Sequence, residues 1–189
     1  MWRPPNIPGV CVLQTPRLWL TPITQEVVDR RLATDDFRAS LDGPDGTREV
    51  RFGPEWPGDA LGFFLHLQAG FARGEPYPHQ FVVVGDATAE VVAMVGSVGA
   101  VTPDGAVEIG YGTNESACGR GIASEAVGAL TRHLLGLPRV AAVTARTQVP
   151  NQASQRVLEK CGFVRGATRR TRHDGDVVEW SCGPPSGEG

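Results

Sequence analysis

The second half of the chain carries the clearest pattern of apolar and polar positions. Residues 81–84, FVVV, and 91–101 are β-branched runs on either side of 85–90, GDATAE, which is turn chemistry; together they predict a hairpin. Pro103-Asp104-Gly105 is a further turn signal, and 106–112, AVEIGYG, predicts a third strand. The period then lengthens. Residues 120–135 place Ala123, Ala126, Val127, Leu130, Leu134 and Leu135 on one helical face. A strand over 140–148 and a helix over 151–161 follow, then paired strands 163–171 and 176–181 around Asp174-Gly175.

The first half is less regular. Leu18 and Leu20 alternate with Trp19 and Thr21, the period of a strand over 17–22. Thr24 caps a helix over 25–33 with Val27, Val28 and Leu32 on one side. Residues 42–58 are rich in Gly and Pro and predict a loop or a broken helix. Residues 60–71 predict a helix carrying Leu61, Phe64 and Leu65. Two early helices, strands in series, then alternating helices and strands predict an α/β fold with a mixed sheet and helices on both faces.

A chain of 189 residues fits one domain and buries a core without a disulfide framework. We expect that domain over 10–183, with flexible termini at 1–9 and 184–189. The net charge of -3 argues against a dedicated nucleic-acid binder, and no apolar run is long enough for a membrane span. The cationic set is 17 Arg and the single Lys160, which reflects base composition more than function. Cys11, Cys118, Cys161 and Cys182 form no CxxC pair and match no zinc spacing, so no metal is expected. The start, MWRPPNIPGV, carries no basic segment followed by an apolar core. The expectation is a cytoplasmic protein with reduced thiols.

The stretch 118–135, CGRGIASEAVGALTRHLL, holds the most chemistry. Gly119 and Gly121 lie between a strand and a helix, where glycine permits a tight turn and lets a ligand reach the amides. The helix N-terminus that follows carries unpaired N–H groups and partial positive charge, which suit a phosphate, and Arg120 adds charge. A plain strand–turn–helix junction would use the same glycines. No GxxxxGK[ST] occurs, and the GxG at 110–112 lacks a third glycine because Glu115 stands there. The second stretch, 151–163, reads as a helix capped by Asn151 and stopped by Gly162, with Ala153, Val157, Leu158 and Cys161 inward.

Together these stretches resemble the GNAT superfamily of acyl-CoA-dependent acetyltransferases. The pyrophosphate loop of that family, [Q/R]-x-x-G-x-[G/A], aligns with Cys118-Gly119-Arg120-Gly121-Ile122-Ala123. The later signature is met by Asn151, Ser154 and Gly162-Phe163. The opening TPRLWLTPI (15–23) and VEIGYGTNESACGRGIASEAV are similar to the ribosomal-protein N-terminal acetyltransferase-like branch. The resemblance implies a mostly antiparallel mixed sheet of about seven strands, with strands 106–112 and 140–148 adjacent and parallel. It implies transfer of the acetyl group of acetyl-CoA to a primary amine by direct attack in a ternary complex. Its alternative is a non-catalytic acyl-CoA-binding or sensor module, suggested by Cys118 where the family has Gln or Arg and by Leu158 where many members have Tyr.

On this resemblance, the cofactor would be bound by Ile109, Gly110, Tyr111, Cys118, Gly119, Arg120, Gly121, Ile122, Ala123, Ser124, Asn151 and Ser154, the backbone of 109–111 pairing with pantetheine as a pseudo-strand. Glu108 is the candidate base: by alternation it shares a strand face with Gly110, opposite Val107, Ile109 and Tyr111, and partial burial would raise its pKa. Ser154 is the candidate donor to the leaving thiolate. Trp56, Tyr77 and His79 are candidate acceptor-pocket residues, each equally readable as core. His133 and His173 read as surface residues, His66 lies on a helix, and none of the three is given chemistry. The acceptor expected is a small-molecule or peptide amine, with neither nucleic acid nor membrane as partner, and the protein a monomer or homodimer.

Overall fold

The computed structural model describes residues 11–74, 79–172 and 174–183. The expectations for 1–9, Tyr77, His173 and 184–189 lie outside those residues. The described chain runs β1 (Leu13–Gln14), β2 (Leu18–Pro22), α1 (Gln25–Ala33), β3 (Phe37–Gly43), β4 (Gly46–Phe52), a 3-10 turn (Gly58–Phe63), α2 (Phe64–Ala72), β5 (Gln80–Gly85), β6 (Glu90–Ser97), β7 (Ala106–Thr113), a short 3-10 turn (Glu115–Ala117), α3 (Ile122–Leu135), β8 (Ala142–Gln148), α4 (Gln152–Lys160), β9 (Val164–Thr171) and β10 (Gly175–Cys182). These strands form one sheet in the order β1-β2-β5-β6-β7-β8-β10-β9, with the β3–β4 hairpin attached through β6. Pairing is antiparallel except between β7 and β8 and at one bridge between β4 and β6. This is the mixed, largely antiparallel sheet expected, with ten described strands in place of about seven.

Both faces of the sheet are covered, which is why β2 and β5 bury consecutive residues rather than alternate ones. Leu18, Leu20, Phe81, Val83, Val95, Val107 and Ile109 pack against α3 and α4, through Ala126, Val127, Leu130, Leu134 and Leu158. On the other face Trp19, Val82, Val84, Val91 and Met94 pack against α1, α2, the β3–β4 hairpin and the turn after it, through Val27, Val28, Val50, Phe52, Trp56, Phe64 and Leu67. Thr24 caps α1 as expected, its hydroxyl accepting from the Val27 amide at 3.3 Å.

The early half departs from expectation in several places. Residues 46–52 form a strand, not a loop or broken helix. Gly43 and Gly46 make the hairpin turn and Gly53 and Pro54 end it, so the breakers bound a strand that their density obscures. The helix expected over 60–71 begins as a 3-10 turn and buries Phe64 and Leu67, leaving Leu61 and Leu65 exposed. Leu32 of α1 is likewise exposed. In the later half, the run 91–101 ends as a strand at Ser97, and Ala153 of α4 faces solvent.

Candidate active site

β7 and β8 are paired from Ala106↔Ala142 to Ile109↔Ala145, and there the pairing stops. Beyond it β7 follows β6 to Thr113↔Ala93, while β8 follows β10 to Gln148↔Val177. Two parallel strands therefore part, and the facing backbone edges of 110–113 and 146–148 carry no shared ladder. Such edges are obligatory hydrogen-bonding groups, available to an extended ligand laid between them. Gly112 lets the chain close over the sheet here: a Cβ on it would lie 2.8 Å from the Pro57 carbonyl.

Past Thr113 the chain turns through Glu115–Ala117 and Cys118 into the glycine loop. Gly119 (φ 72°) and Gly121 (φ 78°) both adopt the left-handed conformation, which explains the residue type at both positions. Gly121 is the N-cap of α3 and brings no side chain to cap it, so the first-turn amides point outward without intrahelical acceptors. A Cβ at Gly119 would meet no protein atom within 4 Å. The space before these amides is open, and the helix dipole makes it favourable for an anion. Cys118 is exposed, its thiol donating to the Asn114 carbonyl at 3.5 Å.

A clamp holds this loop from below. Glu125, in the first turns of α3, accepts from Thr15 Oγ1 at 2.6 Å, from the Arg17 amide at 3.0 Å and from Arg17 Nε at 2.7 Å. Arg17 Nη1 donates to the Arg120 carbonyl at 3.0 Å. Burial opposes the charge on Glu125, but the hydrogen bonds from Thr15 and Arg17 outweigh it and hold the carboxyl below its ordinary pKa. Nothing local in the sequence signals this clamp, because its partners stand more than a hundred residues apart.

On the far side of the opening, Asn151 Oδ1 caps α4 by accepting from the Ser154 amide at 3.0 Å. The Tyr111 phenol donates to the Ser154 carbonyl at 3.0 Å, so its side chain reaches from β7 to the first turn of α4. Burial pushes that phenol up to about 12. Leu158, at the position where many family members carry Tyr, is fully buried core.

Glu108 sits one pair before the strands part, opposite Thr144, on the face shared with Gly110. Arg146 Nε donates to its Oε1 at 2.8 Å, and this bond pushes the guanidinium pKa up. The carboxylate thus stands at the apex of the opening, partly exposed and oriented by a cation that no local pattern in the sequence assigns to it.

Of the acceptor candidates, the two described ones, Trp56 and His79, lie on opposite faces of the sheet. Trp56 is fully buried, edge-on to Phe52 and Phe64, with its Nε1 donating to the Ala93 carbonyl at 3.1 Å. It is core and presents no surface to a ligand. His79 lies on the other face, its Nδ1 3.2 Å from Nε2 of His133, which packs edge-on to Phe81. His133 is half-buried, not the surface residue expected. Desolvation lowers the pKa of both rings, helped at His79 by the neighbouring His133. Among the described residues no group of three or more His, Cys, Asp or Glu could hold a metal ion, and no helix is long and apolar enough to cross a membrane.

Residues 17–164 match the family model described as an acetyltransferase (GNAT) domain. The chain belongs to the GNAT acetyltransferase family. As a member it catalyses acetyl-CoA-dependent transfer of an acetyl group to an amine. The Bacillus subtilis (strain 168) N-acetyltransferase YjdG is 31% identical over 114 residues, covering 58% of this chain and 67% of that protein. A ribosomal-protein-S5-alanine acetyltransferase from Vibrio fischeri shares the fold at 16% identity and TM-score 0.62, over 92% of this chain and 96% of that one. RimL, a ribosomal L7/L12 α-N-protein acetyltransferase solved with coenzyme A, shares it at 19% identity and TM-score 0.63, over 92% and 98%.

Proposed function

We propose that one domain, over 10–183, holds acetyl-CoA along the opening between β7 and β8 and brings the thioester to its apex at Ile109, where an amine attacks it directly. The observation that carries this reading is that β7 parts from β8 after Ile109 and the chain then runs from the end of β7 into the two left-handed glycines, Gly119 and Gly121. The amides of Gly119, Arg120, Gly121, Ile122, Ala123 and Ser124 receive the diphosphate, and backbone groups of Ile109, Gly110 and Tyr111 receive the pantetheine. Backbone amides make most of the contacts to the diphosphate, so Cys118 in place of a Gln or Arg does not abolish binding. Asn151 fixes the first turn of α4 beside the arm, and Tyr111 ties that turn to β7.

In the reaction the amine nitrogen forms a bond to the thioester carbonyl carbon, the C–S bond breaks, and the surplus ammonium proton must leave. Glu108 accepts that proton, directly or through one water, while Arg146 keeps the carboxylate aimed at the apex. Ser154 donates a hydrogen bond to the departing sulfur. Positioning of the two reactants supplies most of the rate, up to about 7–11 kcal/mol of the barrier. The acceptor is a small-molecule or peptide amine that approaches from the face bearing Glu108. The names of the solved relatives, which include acetyltransferases of ribosomal-protein N-termini, make peptide N-termini the first acceptors to try.

The test is thermal unfolding with and without acetyl-CoA, followed by thiol release with peptide N-termini, polyamines, aminoglycosides and free amino acids. We expect stabilisation by acetyl-CoA and thiol release with at least one amine. Stabilisation without thiol release from any amine would overturn the catalytic assignment, and no stabilisation would overturn the donor site.

A further inference from the structure

We infer that Arg17, brought from the start of β2, is the cationic side chain that contacts the diphosphate of acetyl-CoA, and that Glu125 holds it in place. The inference rests on the reading that the Gly119–Gly121 loop receives that diphosphate. The loop position that would carry a Gln or Arg in the family motif is Cys118, which leaves the loop one polar contact short. The fold brings a cation beside the same loop from more than a hundred residues away. Arg17 Nη2 lies 3.4 Å from where a Cβ on Gly121 would stand, directly beside the left-handed N-cap of α3.

The guanidinium is both fixed and available. Nε and Nη2 bond Glu125 Oε2 at 2.7 and 2.6 Å, and Nη1 bonds the Arg120 carbonyl. A guanidinium has five N–H donors, so one on each terminal nitrogen stays free after these three bonds. Arg17 is 52% exposed while Glu125 is 17% exposed, so the anion lies underneath and the cation forms the surface. This order matters for a phosphate site. A carboxylate in the first turns of α3 would repel a diphosphate at the helix N-terminus, and Arg17 covers that charge while pointing its remaining donors outward. Arginine suits this double duty because its planar fork binds a carboxylate on one edge and a phosphate on another.

The test compares two acetyl donors on the full chain: acetyl-CoA, and S-acetyl-pantetheine, which lacks the diphosphate. In Arg17→Gln the KM for acetyl-CoA should rise about tenfold or more, the usual loss for a charged hydrogen bond, with kcat nearly unchanged. The KM for S-acetyl-pantetheine should not move. Arg17→Lys, which keeps the charge but not the fork, should recover part of the acetyl-CoA affinity. Equal loss with both donors, in Arg17→Gln and Arg17→Lys alike, would make Arg17 a structural clamp only and overturn the inference. Unchanged KM for both donors would overturn it as well. If the unmodified protein used both donors with the same KM, the diphosphate reading of the loop would itself be wrong, and the inference would fall with it.

Discussion

The two faces of the sheet build their halves of the molecule by different means. On the α3–α4 face the functional features are properties of the backbone: two strands that stop pairing after Ile109 and Ala145, two glycines at positive φ, and a helix N-terminus with free amides. On the α1–α2 face they are properties of side-chain packing: the aromatic cluster of Phe37, Phe52, Trp56 and Phe64 that seats the β3–β4 hairpin and the Gly58–Phe63 turn against the sheet. A backbone device needs few residue types and leaves a short motif. A packed layer accepts many residue combinations of similar volume and leaves none. The backbone devices are therefore recognisable from a dozen residues, whereas the aromatic residues of the packed face cannot be sorted by sequence into pocket and core.

The largest effect is expected at Glu108, the side chain proposed to take the proton where the halves meet. Glu108→Gln should lower turnover about 10²–10⁴-fold at pH 7 while leaving acetyl-CoA binding intact. A pH–rate profile should show the variant recovering above the acceptor's own pKa, where the amine is already neutral. A variant close to wild type at pH 7 would return the proton's route to solvent.

Trp56→Ala tests the packed side. Removing a fully buried indole should cost about 3–5 kcal/mol of stability, read from the denaturant midpoint. Among the molecules still folded, the KM for acetyl-CoA should be unchanged. A variant of normal stability with a raised acceptor KM would restore Trp56 to the acceptor pocket.

Gly119→Val tests the backbone side. The new Cβ meets no protein atom, so its costs are the left-handed strain, about 1–2 kcal/mol, and occupation of the space before the amides. The stabilisation expected from acetyl-CoA at a hundred times its Kd, about 2.7 kcal/mol, should vanish in thermal-shift measurements. Retention of that stabilisation would move the diphosphate elsewhere.

The smallest effect concerns His79 and His133. Their pKa values are depressed in the folded state from an ordinary value of 6.5. As pH falls below about 6.5 the unfolded chain takes up protons that the folded pair resists, so stability is full above that pH and declines below it. Both rings are half exposed, and solvent screening should keep the loss under about 1 kcal/mol. Unfolding titrations at pH 7.5 and 5.5 should show this decline in the wild type and less of it in His133→Gln. An equal decline in both would remove the pair from the account.

Most of the second half of the chain is legible in its local pattern. Hairpin 81–97, strand 106–113, the glycine turn and the helices at 122 and 152 each follow from local period and from residues with special backbone preferences. The parallel pairing of β7 and β8 follows from the family resemblance. The hairpin of 37–52 escapes such a reading, because the Gly and Pro residues that bound its second strand dominate any window wide enough to contain it.

By itself, then, the amino-acid sequence determined the helices and strands of the second half and the place of the glycine loop, since these depend on periodicity and on glycine at positive φ, both written in contiguous residues, and the sheet type and the family followed from the resemblance those stretches carry. Only the tertiary structure decided the rest. It set Arg17 and Thr15 against Glu125, Arg146 against Glu108, Tyr111 against Ser154 and His79 against His133, and it buried Trp56. Each of these pairs joins residues far apart in the chain, whose meeting depends on strand order and helix placement. Charge, hydrogen-bonding capacity and burial of a polar group are properties of such meetings, and no local pattern encodes them.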